Sequence, residues 1–245
     1  MGLFDGKKGL ILGVANDRSI AWAIARKIME EGGLCGFTHL PDRPDDEKKK
    51  NRRRVEKCIG DNPQAKFLIP LNVQDDDQIA EVIAHTKEEF GEIDFLLHSI
   101  AFADRADLQK YTIESSRYGF KMAMEISAYS MLAVTNAAKG ILKKEVRNEK
   151  NEAVEPGSAV LTMTYFGGER CVPGYNVMGI CKAALDAATR YAAFDLGPQG
   201  IRVNALSAGP LKTLASSAVG ANDMLTLYEK VSPMGRGITH VEVAN

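Results

Sequence analysis

Short runs of consecutive apolar residues, rich in valine, isoleucine and leucine, recur along the chain between longer stretches with a helical period. The apolar positions in these runs follow one another instead of alternating with polar ones, which is typical of strands buried on both faces of a parallel sheet. The predicted strands are Gly9–Val14, Leu34–His39, Phe67–Val73, Phe95–Ile100, Ala159–Met163 and Arg202–Leu206.

Stretches with helical periodicity separate these runs, and they are Ser19–Glu31, Asp45–Cys58, Asp76–Phe90, about Ile113–Lys143 and about Asn176–Leu196. Strict alternation of strand and helix predicts right-handed βαβ units. We therefore expect an α/β fold: a single Rossmann-like, doubly wound parallel sheet with helices on both faces, formed by residues 1–245 as one domain. The polar stretch Glu145–Gly157 ends in Pro-Gly and is predicted to be a surface loop.

Composition narrows the class of protein. The 31 basic and 32 acidic residues give a net charge of −1, which argues against a globally basic nucleic-acid binder. The basic run Lys48–Arg54 follows acidic residues at 45–47, at the predicted start of a helix, where acidic side chains suit the helix dipole. We interpret this run as a solvated helix face and expect no nucleic-acid partner.

The reactive side chains give no sign of a metal site or a disulfide framework. The four cysteines form no Cys-x-x-Cys motif, and the histidines stand at no metal-ligand spacing. No apolar run approaches the roughly 18 residues of a membrane span, and the first residues do not resemble a secretory leader. We expect a cytoplasmic protein with no metal and no membrane partner.

Small residues follow the first predicted strand and lead into a helix. Gly13, Ala15 and a helix-capping Ser19 would let backbone amides and the helix N-terminus approach a pyrophosphate. The usual G-x-G-x-x-G is absent, so an ordinary strand-turn-helix connection remains an alternative.

Tyr175 and Lys182 are seven residues apart on a predicted helix, a rotation of about 700°, so they project from the same face. A cation there can lower the pKa of a phenol and steady its ionised form. The pair could act as an acid or electrophile toward a carbonyl oxygen. Alternatively, Tyr175 packs at the helix start and Lys182 is solvated.

Five segments in sequence order together resemble one family. The turn Gly13-Val14-Ala15-x-x-x-Ser19-Ile20-Ala21 is similar to that of the enoyl-acyl-carrier-protein reductases, a divergent branch of the short-chain dehydrogenase/reductase family. The other four segments are Ser99–Phe102, Leu161–Tyr165, Tyr175-Asn176-Val177-Met178-Gly179-x-x-Lys182-Ala183 and Arg202–Pro210. Ordinary members of the wider family carry Tyr-x-x-x-Lys, whereas the Tyr-x6-Lys spacing seen here is the enoyl-reductase form.

The resemblance implies reduction of a trans-2-enoyl thioester on acyl carrier protein, with hydride from NADH added to C3. Tyr175 would donate a hydrogen bond to the enolate oxygen, Lys182 would hold the nicotinamide ribose, and Tyr165 would line the substrate pocket. The alternatives are a short-chain carbonyl or alcohol dehydrogenase and a dinucleotide sensor without turnover. An acyl chain would also meet Ala101, Phe102 and Met178.

The cofactor residues expected from this resemblance lie along the strand ends. They are Gly13, Val14, Ala15, Ser19, Ile20, Leu40, Asn72, Val73, Ser99, Ile100, Ala101, Lys182, Pro210 and Thr213. The second strand ends in His39-Leu40-Pro41-Asp42-Arg43, which carries neither the usual ribose-binding acid nor a clear 2′-phosphate site. We favour NADH, and Arg43 keeps NADPH as the alternative.

Two expectations concern the C-terminal third. Residues 211–230 follow the carboxyl end of the last strand and would form a lid over the acyl chain. The sequence stops at Asn245, where the family would begin a helix leading to a final strand, so that strand is expected to be missing or truncated. The family also implies a homo-oligomer, a dimer or a tetramer.

Overall fold

The computed structural model describes residues 2–213 and 222–245. Its strands are β1 (Lys8–Leu12), β2 (Leu34–His39), β3 (Ala65–Pro70), β4 (Phe95–His98), β5 (Val146–Arg147), β6 (Ala153–Glu155), β7 (Ala159–Thr164) and β8 (Arg202–Ser207). Six of them form one parallel sheet in the order β3-β2-β1-β4-β7-β8. This confirms the predicted doubly wound α/β fold, in which the strand order reverses between β1 and β4.

Helices connect the strands. The α-helices are α1 (Ile20–Glu30), α2 (Lys50–Ile59), α3 (Asp76–Phe90), α4 (Arg105–Leu108), α5 (Arg117–Met124), α6 (Ser130–Ala138), α7 (Asn176–Leu196), α8 (Asn222–Val231) and α9 (His240–Ala244). A π-helical turn (Glu125–Tyr129) joins α5 to α6. Short 3₁₀ turns span Thr112–Glu114, Phe166–Gly168 and Gly197–Gln199.

Successive strand residues bury side chains on opposite faces of the sheet, which explains the continuous apolar runs. On one face, Leu10 and Leu96 pack with residues of α3, α6 and α7 such as Val82. On the other face, Ile11 and Leu97 pack with residues of α1 and with Val55 of α2. Both layers are therefore anchored on the two central strands, which end at the site described below.

The predicted strands 9–14, 67–73 and 95–100 all end earlier in the structure, at Leu12, Pro70 and His98. Two predicted helices also have other bounds, each for a local reason. The predicted helix 45–58 begins only at Lys50, because Lys49 is left-handed (φ 45°) and Asp42 and Asp46 accept hydrogen bonds from the amides at the helix start. The predicted helix 113–143 is interrupted by the π-helical turn and covers only 117–138.

The predicted loop Glu145–Gly157 contains an exposed antiparallel hairpin, β5–β6. It precedes the start of β7, so it lies at the amino-terminal edge of the sheet, away from the strand ends that carry Tyr165 and Tyr175. Within the ranges 2–213 and 222–245, no helix is long and apolar enough to cross a membrane.

Candidate active site

The carboxyl ends of four parallel strands meet at one edge of the sheet. Register pairs Leu12 of β1 with His98 of β4, and it pairs Thr164 of β7 with Ser207 of β8. The segments that follow these strands therefore lie side by side. They carry most of the residues that the sequence predicts for the site, and ligands of open α/β sheets bind at this edge.

Gly13 and Ser99 come into close approach where β1 and β4 end. Gly13 has φ +99°, and a side-chain carbon there would overlap the carbonyl group of Ser99. Only glycine meets both demands. Val14 is buried beside this contact, and Ile20 begins α1 with its side chain packed on the core.

Ser19 stabilises the turn in a way that the sequence did not reveal. It occupies the N-cap position of α1, but its side chain caps no helical amide. Its hydroxyl instead accepts hydrogen bonds from the backbone N–H groups of Ala15 (2.9 Å) and Asn16 (3.1 Å). The predicted capping role of Ser19 is corrected: it closes the turn between β1 and α1 and so shapes the loop that would face a pyrophosphate.

The adenosine end of the predicted site lies after β2 and β3. Leu40 is exposed (63%), while Val73 is buried. The side-chain oxygen of Asn72 accepts a hydrogen bond from the Gln74 N–H (3.2 Å), so one acceptor is used locally. Asp42, the acid nearest the end of β2, is occupied at the start of α2.

The loop after β4 is held by the π-helical turn. The Ser127 hydroxyl accepts a hydrogen bond from the Phe102 N–H and donates one to the Phe102 carbonyl, both at 2.9 Å. Phe102 itself is half exposed (49%), and its neighbour Ala101 is exposed. The backbone at the predicted substrate position is therefore fixed, while the phenyl ring remains accessible.

Tyr165 and Tyr175 lie together beyond β7. Their rings meet edge to face, with centroids 4.9 Å apart. A side-chain carbon at Gly167 would collide with the Tyr175 ring, so glycine at this position makes room for that ring. Tyr165 thus faces the predicted catalytic tyrosine.

Lys182 is buried on α7, which begins directly after Tyr175. Lys182 is 6% exposed, and its ammonium group donates a hydrogen bond to the Met163 carbonyl (2.7 Å). Burial lowers the pKa of Lys182 to about 8. The solvated lysine that the sequence allowed is therefore wrong. Burial, and next the neighbouring Tyr165, raise the pKa of Tyr175 well above its usual value. The expectation that Lys182 lowers the Tyr175 pKa is not met, and Tyr175 keeps its proton at neutral pH.

A buried histidine lies beneath this site. His98 Nε2 is 2.8 Å from the Ser130 hydroxyl, which itself donates to the Ile126 carbonyl (2.7 Å). Because a hydroxyl has a single hydrogen, Nε2 must be the donor to Ser130. Burial, and next the charge of Lys182, lower the pKa of His98 to about 3, so it is neutral. His98 is a structural residue.

The remaining predicted residues differ in accessibility. Met178 is buried against Leu108 and Ala123, so it is part of a packed cluster rather than an open wall. Pro210 follows β8, and the Thr213 N–H donates to the Leu211 carbonyl (2.9 Å). Of the predicted lid, residues 214–221 lie outside the described residues.

Sequence reasoning missed several residues that shape the site. The π-helical turn at Glu125–Tyr129 was missed, because one inserted residue shifts the apolar pattern by only about 100° and the stretch was interpreted as one helix. The sequence placed Asn176 in the segment that follows Tyr175 but predicted no role for its side chain. The Thr164 hydroxyl, at the end of β7, is buried without a hydrogen-bond partner among the described residues.

A cavity of about 450 Å³ lies elsewhere, lined by residues including Phe4, Ile24, Phe95 and Val243. None of the predicted site residues lines it. Among residues 2–213 and 222–245, no cluster of three or more metal-ligating side chains occurs.

Comparison with known proteins assigns the family. Residues 13–245 match the family model described as Enoyl-(Acyl carrier protein) reductase. The chain belongs to this family. Enoyl-[acyl-carrier-protein] reductase [NADH] from Nostoc sp. is 43% identical over 241 residues, which cover 98% of this chain and 87% of the relative.

Solved structures of enoyl-acyl-carrier-protein reductases have the same fold. The enzyme from Anaplasma phagocytophilum, in complex with NAD, has a TM-score of 0.86 and 37% identity, covering 99% of this chain and 86% of that one. The Bacillus cereus enzyme, with NADP⁺ and an indole naphthyridinone, has a TM-score of 0.87 and 40% identity, covering 100% of this chain and 88% of that one. The family predicted from the five sequence segments is confirmed.

Proposed function

We propose that this protein reduces trans-2-enoyl thioesters carried on acyl carrier protein to saturated acyl thioesters, with NADH as the hydride donor, in fatty acid elongation. The observation that carries the proposal is the arrangement of Tyr175 beside Tyr165, directly before α7, with Lys182 buried farther along that helix. Membership of the enoyl-acyl-carrier-protein reductase family agrees with it.

Three features fit a nicotinamide dinucleotide. Gly13 lets the β1–α1 turn pass close to the Ser99 backbone, and Lys182 offers a buried ammonium that donates to the Met163 carbonyl. The Thr164 hydroxyl at the same edge is buried without a partner in the described part of the chain, and such an atom gains free energy when a ligand pairs with it. Bound there, the cofactor supplies the hydride.

The protein's own residues stabilise the charge that develops on the substrate. Hydride addition at C3 places negative charge on the thioester oxygen, and the protonated Tyr175 donates a hydrogen bond to that oxygen. Addition of a proton at C2 then converts the enolate into the saturated thioester. Lys182 holds the ribose hydroxyls and keeps the local potential positive. Tyr165, packed against Tyr175, lines the pocket on the substrate side together with Ala101 and Phe102.

Individual residues are proposed for each part of the cofactor. Gly13, Ser19 and the Ser99 loop would hold the phosphates and the nicotinamide side, and Leu40 and Asn72 would border the adenosine. NADH is favoured, and NADPH remains the weaker alternative because Arg43 is exposed near the end of β2.

The wider setting is part of the same proposal. Acyl carrier protein presents the substrate, and residues 211–230 act as the lid. The protein forms a homo-oligomer in the cytoplasm, where a reducing environment suits its free cysteines, Cys35, Cys58, Cys171 and Cys181.

One assay separates the candidate functions. Oxidation of NADH and NADPH is followed with a crotonyl thioester and, in parallel, with a panel of ketones. We expect turnover with the thioester only, and faster with NADH. Preference for ketones would indicate a carbonyl dehydrogenase, and cofactor binding without turnover on any substrate would indicate a sensor.

A further inference from the structure

Asn176, the first residue of α7, directly follows Tyr175 and has a left-handed backbone (φ 43°). Among the described non-glycine residues, only Lys49 and Asn151 share a positive φ. Asparagine tolerates this conformation better than most residues, yet it costs free energy unless surrounding contacts hold it. The contacts that hold Asn176 are therefore informative.

The side chain of Asn176 reaches across the fold to α4. Its Nδ2 donates to the carbonyls of Leu108 (2.7 Å) and Lys110 (2.5 Å), which uses both amide hydrogens. Leu108 ends α4, where helical carbonyls lack intrahelical partners. Asn176 thus caps α4 from more than sixty residues away in sequence.

The α4 turn is itself a fixed anchor. The buried Asp107 carboxylate accepts hydrogen bonds from the Ser116 N–H and hydroxyl, each at 2.8 Å. Leu108 packs in the cluster that contains Val177, and the Tyr175 ring packs against this cluster. A short chain segment connects α4 to the Ser99–Phe102 loop, so the anchor and the predicted substrate loop belong to one unit.

We propose that Asn176 is a positioning residue, whose two hydrogen bonds to the end of α4 fix the start of α7 so that the Tyr175 hydroxyl meets the substrate oxygen. This inference rests on the proposed role of Tyr175. Lys182 lies two turns farther along α7 and has its own bond to Met163, so its grip on a nicotinamide ribose does not depend on Asn176.

Two variants separate the tether from the backbone conformation. Asn176→Asp keeps the side-chain shape and tolerates the left-handed region, but it turns a carboxylate oxygen toward two carbonyls. Asn176→Gly adopts the left-handed region freely and lacks both bonds. We expect each to lower kcat with a crotonyl thioester by about 10- to 100-fold, as misplacement of a reacting group does. The Kd for NADH should stay within about 2-fold, since Lys182 is unaffected.

Asn151→Asp is the matched control, since Asn151 is also left-handed but lies in the exposed β5–β6 hairpin. It should leave kcat unchanged. A thermal melt of each variant shows that it is folded at the assay temperature. A rise in KM or in the Kd for NADH with kcat unchanged would overturn the inference.

The decisive test is a double-mutant cycle with Tyr175→Phe. If Asn176 acts through the Tyr175 hydroxyl, Asn176→Asp slows the Tyr175→Phe enzyme by less than about 2-fold, because nothing is left to misplace. Full, additive losses would overturn the positioning role while leaving the proposed function intact. A Tyr175→Phe enzyme as fast as wild type would overturn the proposed role of Tyr175, and the positioning role with it. The proposed function itself would be overturned only by a wild-type enzyme that does not reduce the crotonyl thioester.

Discussion

A tyrosine that stabilises an oxyanion must hold its proton until charge develops on the substrate. Burial raises the pKa of Tyr175, and the adjacent Tyr165 ring adds to the effect. The phenol is therefore a neutral hydrogen-bond donor at physiological pH. A pre-formed phenolate would repel the developing enolate instead of stabilising it.

Tyr175→Phe removes this donor and keeps the ring that packs against Tyr165. Loss of one such donor costs on the order of 10² to 10³ in turnover, and we expect kcat to fall by this amount. Steady-state kinetics with a crotonyl thioester measures the change, and an unchanged Kd for NADH is the control. A rate near that of wild type would remove Tyr175 from the reaction.

Lys182 makes the stability of the ligand-free protein depend on pH. Its pKa is about 8 in the folded protein and 10.5 when exposed, so the unfolded chain binds more protons between these values. The burial penalty is therefore full below pH 8 and is relieved as pH rises to 10.5. Lys182→Met should abolish tight NADH binding. Below pH 8, however, the folded variant does not bury a charged ammonium group, so it lacks the burial penalty of the wild-type protein.

Thermal melts of wild type and Lys182→Met across this pH range test the sign. The wild-type Tm should rise relative to that of the variant between pH 8 and 10.5. A Tm difference that stays constant with pH would mean that Lys182 is solvated or has an unshifted pKa.

At the scale of elements, the π-helical turn connects the helix layer to the loop after β4. Ser127 brackets the Phe102 peptide, and Ser130 fixes the neutral His98 in β4. Single π-turns inside helices often occur at functional sites. Here the extra residue brings both hydroxyls onto the strand end that carries the predicted nicotinamide loop.

Ser127→Ala should leave the Phe102 N–H and carbonyl without their hydrogen bonds to the Ser127 hydroxyl, and it should destabilise the fold by about 1–3 kcal/mol. Amide hydrogen exchange should accelerate at Ala101–Ala103, and chemical denaturation measures the stability. Ser115→Ala is the control, because the Ser115 hydroxyl is buried without a partner in the described residues and its loss should cost nothing. Equal stability of the two variants would show that the two Ser127–Phe102 hydrogen bonds do not stabilise the fold.

The lid hypothesis is testable on α8. The Tyr228 side chain of this helix lies close to Gly209, which follows β8. Burial raises the pKa of Tyr165, and the nearby Tyr228 phenol raises it further. We expect amide exchange in Asn222–Val231 to slow when cofactor and an acyl or aromatic ligand are both bound. Equal, strong protection with and without ligands would show that α8 is a fixed wall.

Sequence patterns predicted the elements whose bounds depend on the burial of apolar side chains. They missed the boundaries that depend on single hydrogen bonds. The bounds of β2, α3 and α7 agree with the prediction, and a glycine borders each pattern: Gly33 before β2, Gly91 after α3 and Gly197 after α7. The start of α2 depends on the carboxylates of Asp42 and Asp46, and the break after α5 depends on a register change. The first leaves the apolar pattern unchanged, and the second shifts it by a single residue.

The same division holds for the site. The Tyr-x6-Lys spacing predicted Tyr175 and Lys182 on one regular helix, but α7 begins at Asn176, whose left-handed backbone separates Tyr175 from the helix that carries Lys182. The burial of Lys182, the rise in the Tyr175 pKa and the reach of Asn176 to α4 depend on tertiary packing. No spacing rule within one helix contains that information.

At the scale of the whole molecule, α7 has two opposite faces. One face, with Lys182, Leu185 and Leu196, is buried. The other exposes large apolar side chains, Ile180, Tyr191 and Phe194, with exposed fractions of 40%, 73% and 80%. An apolar helical stripe of this kind is typical of a surface that another subunit covers, which supports the proposed homo-oligomer.

Phe194→Glu tests this surface. A carboxylate placed in a dry interface between α7 helices would cost several kcal/mol of association free energy. The variant should therefore sediment as a smaller species than wild type. Sedimentation velocity of both proteins measures the mass directly. Because Phe194 lies at the opposite end of α7 from Tyr175, the monomeric variant should still bind NADH. Wild type and variant with the same mass would rule out assembly through this stripe, and the homo-oligomer would need another surface.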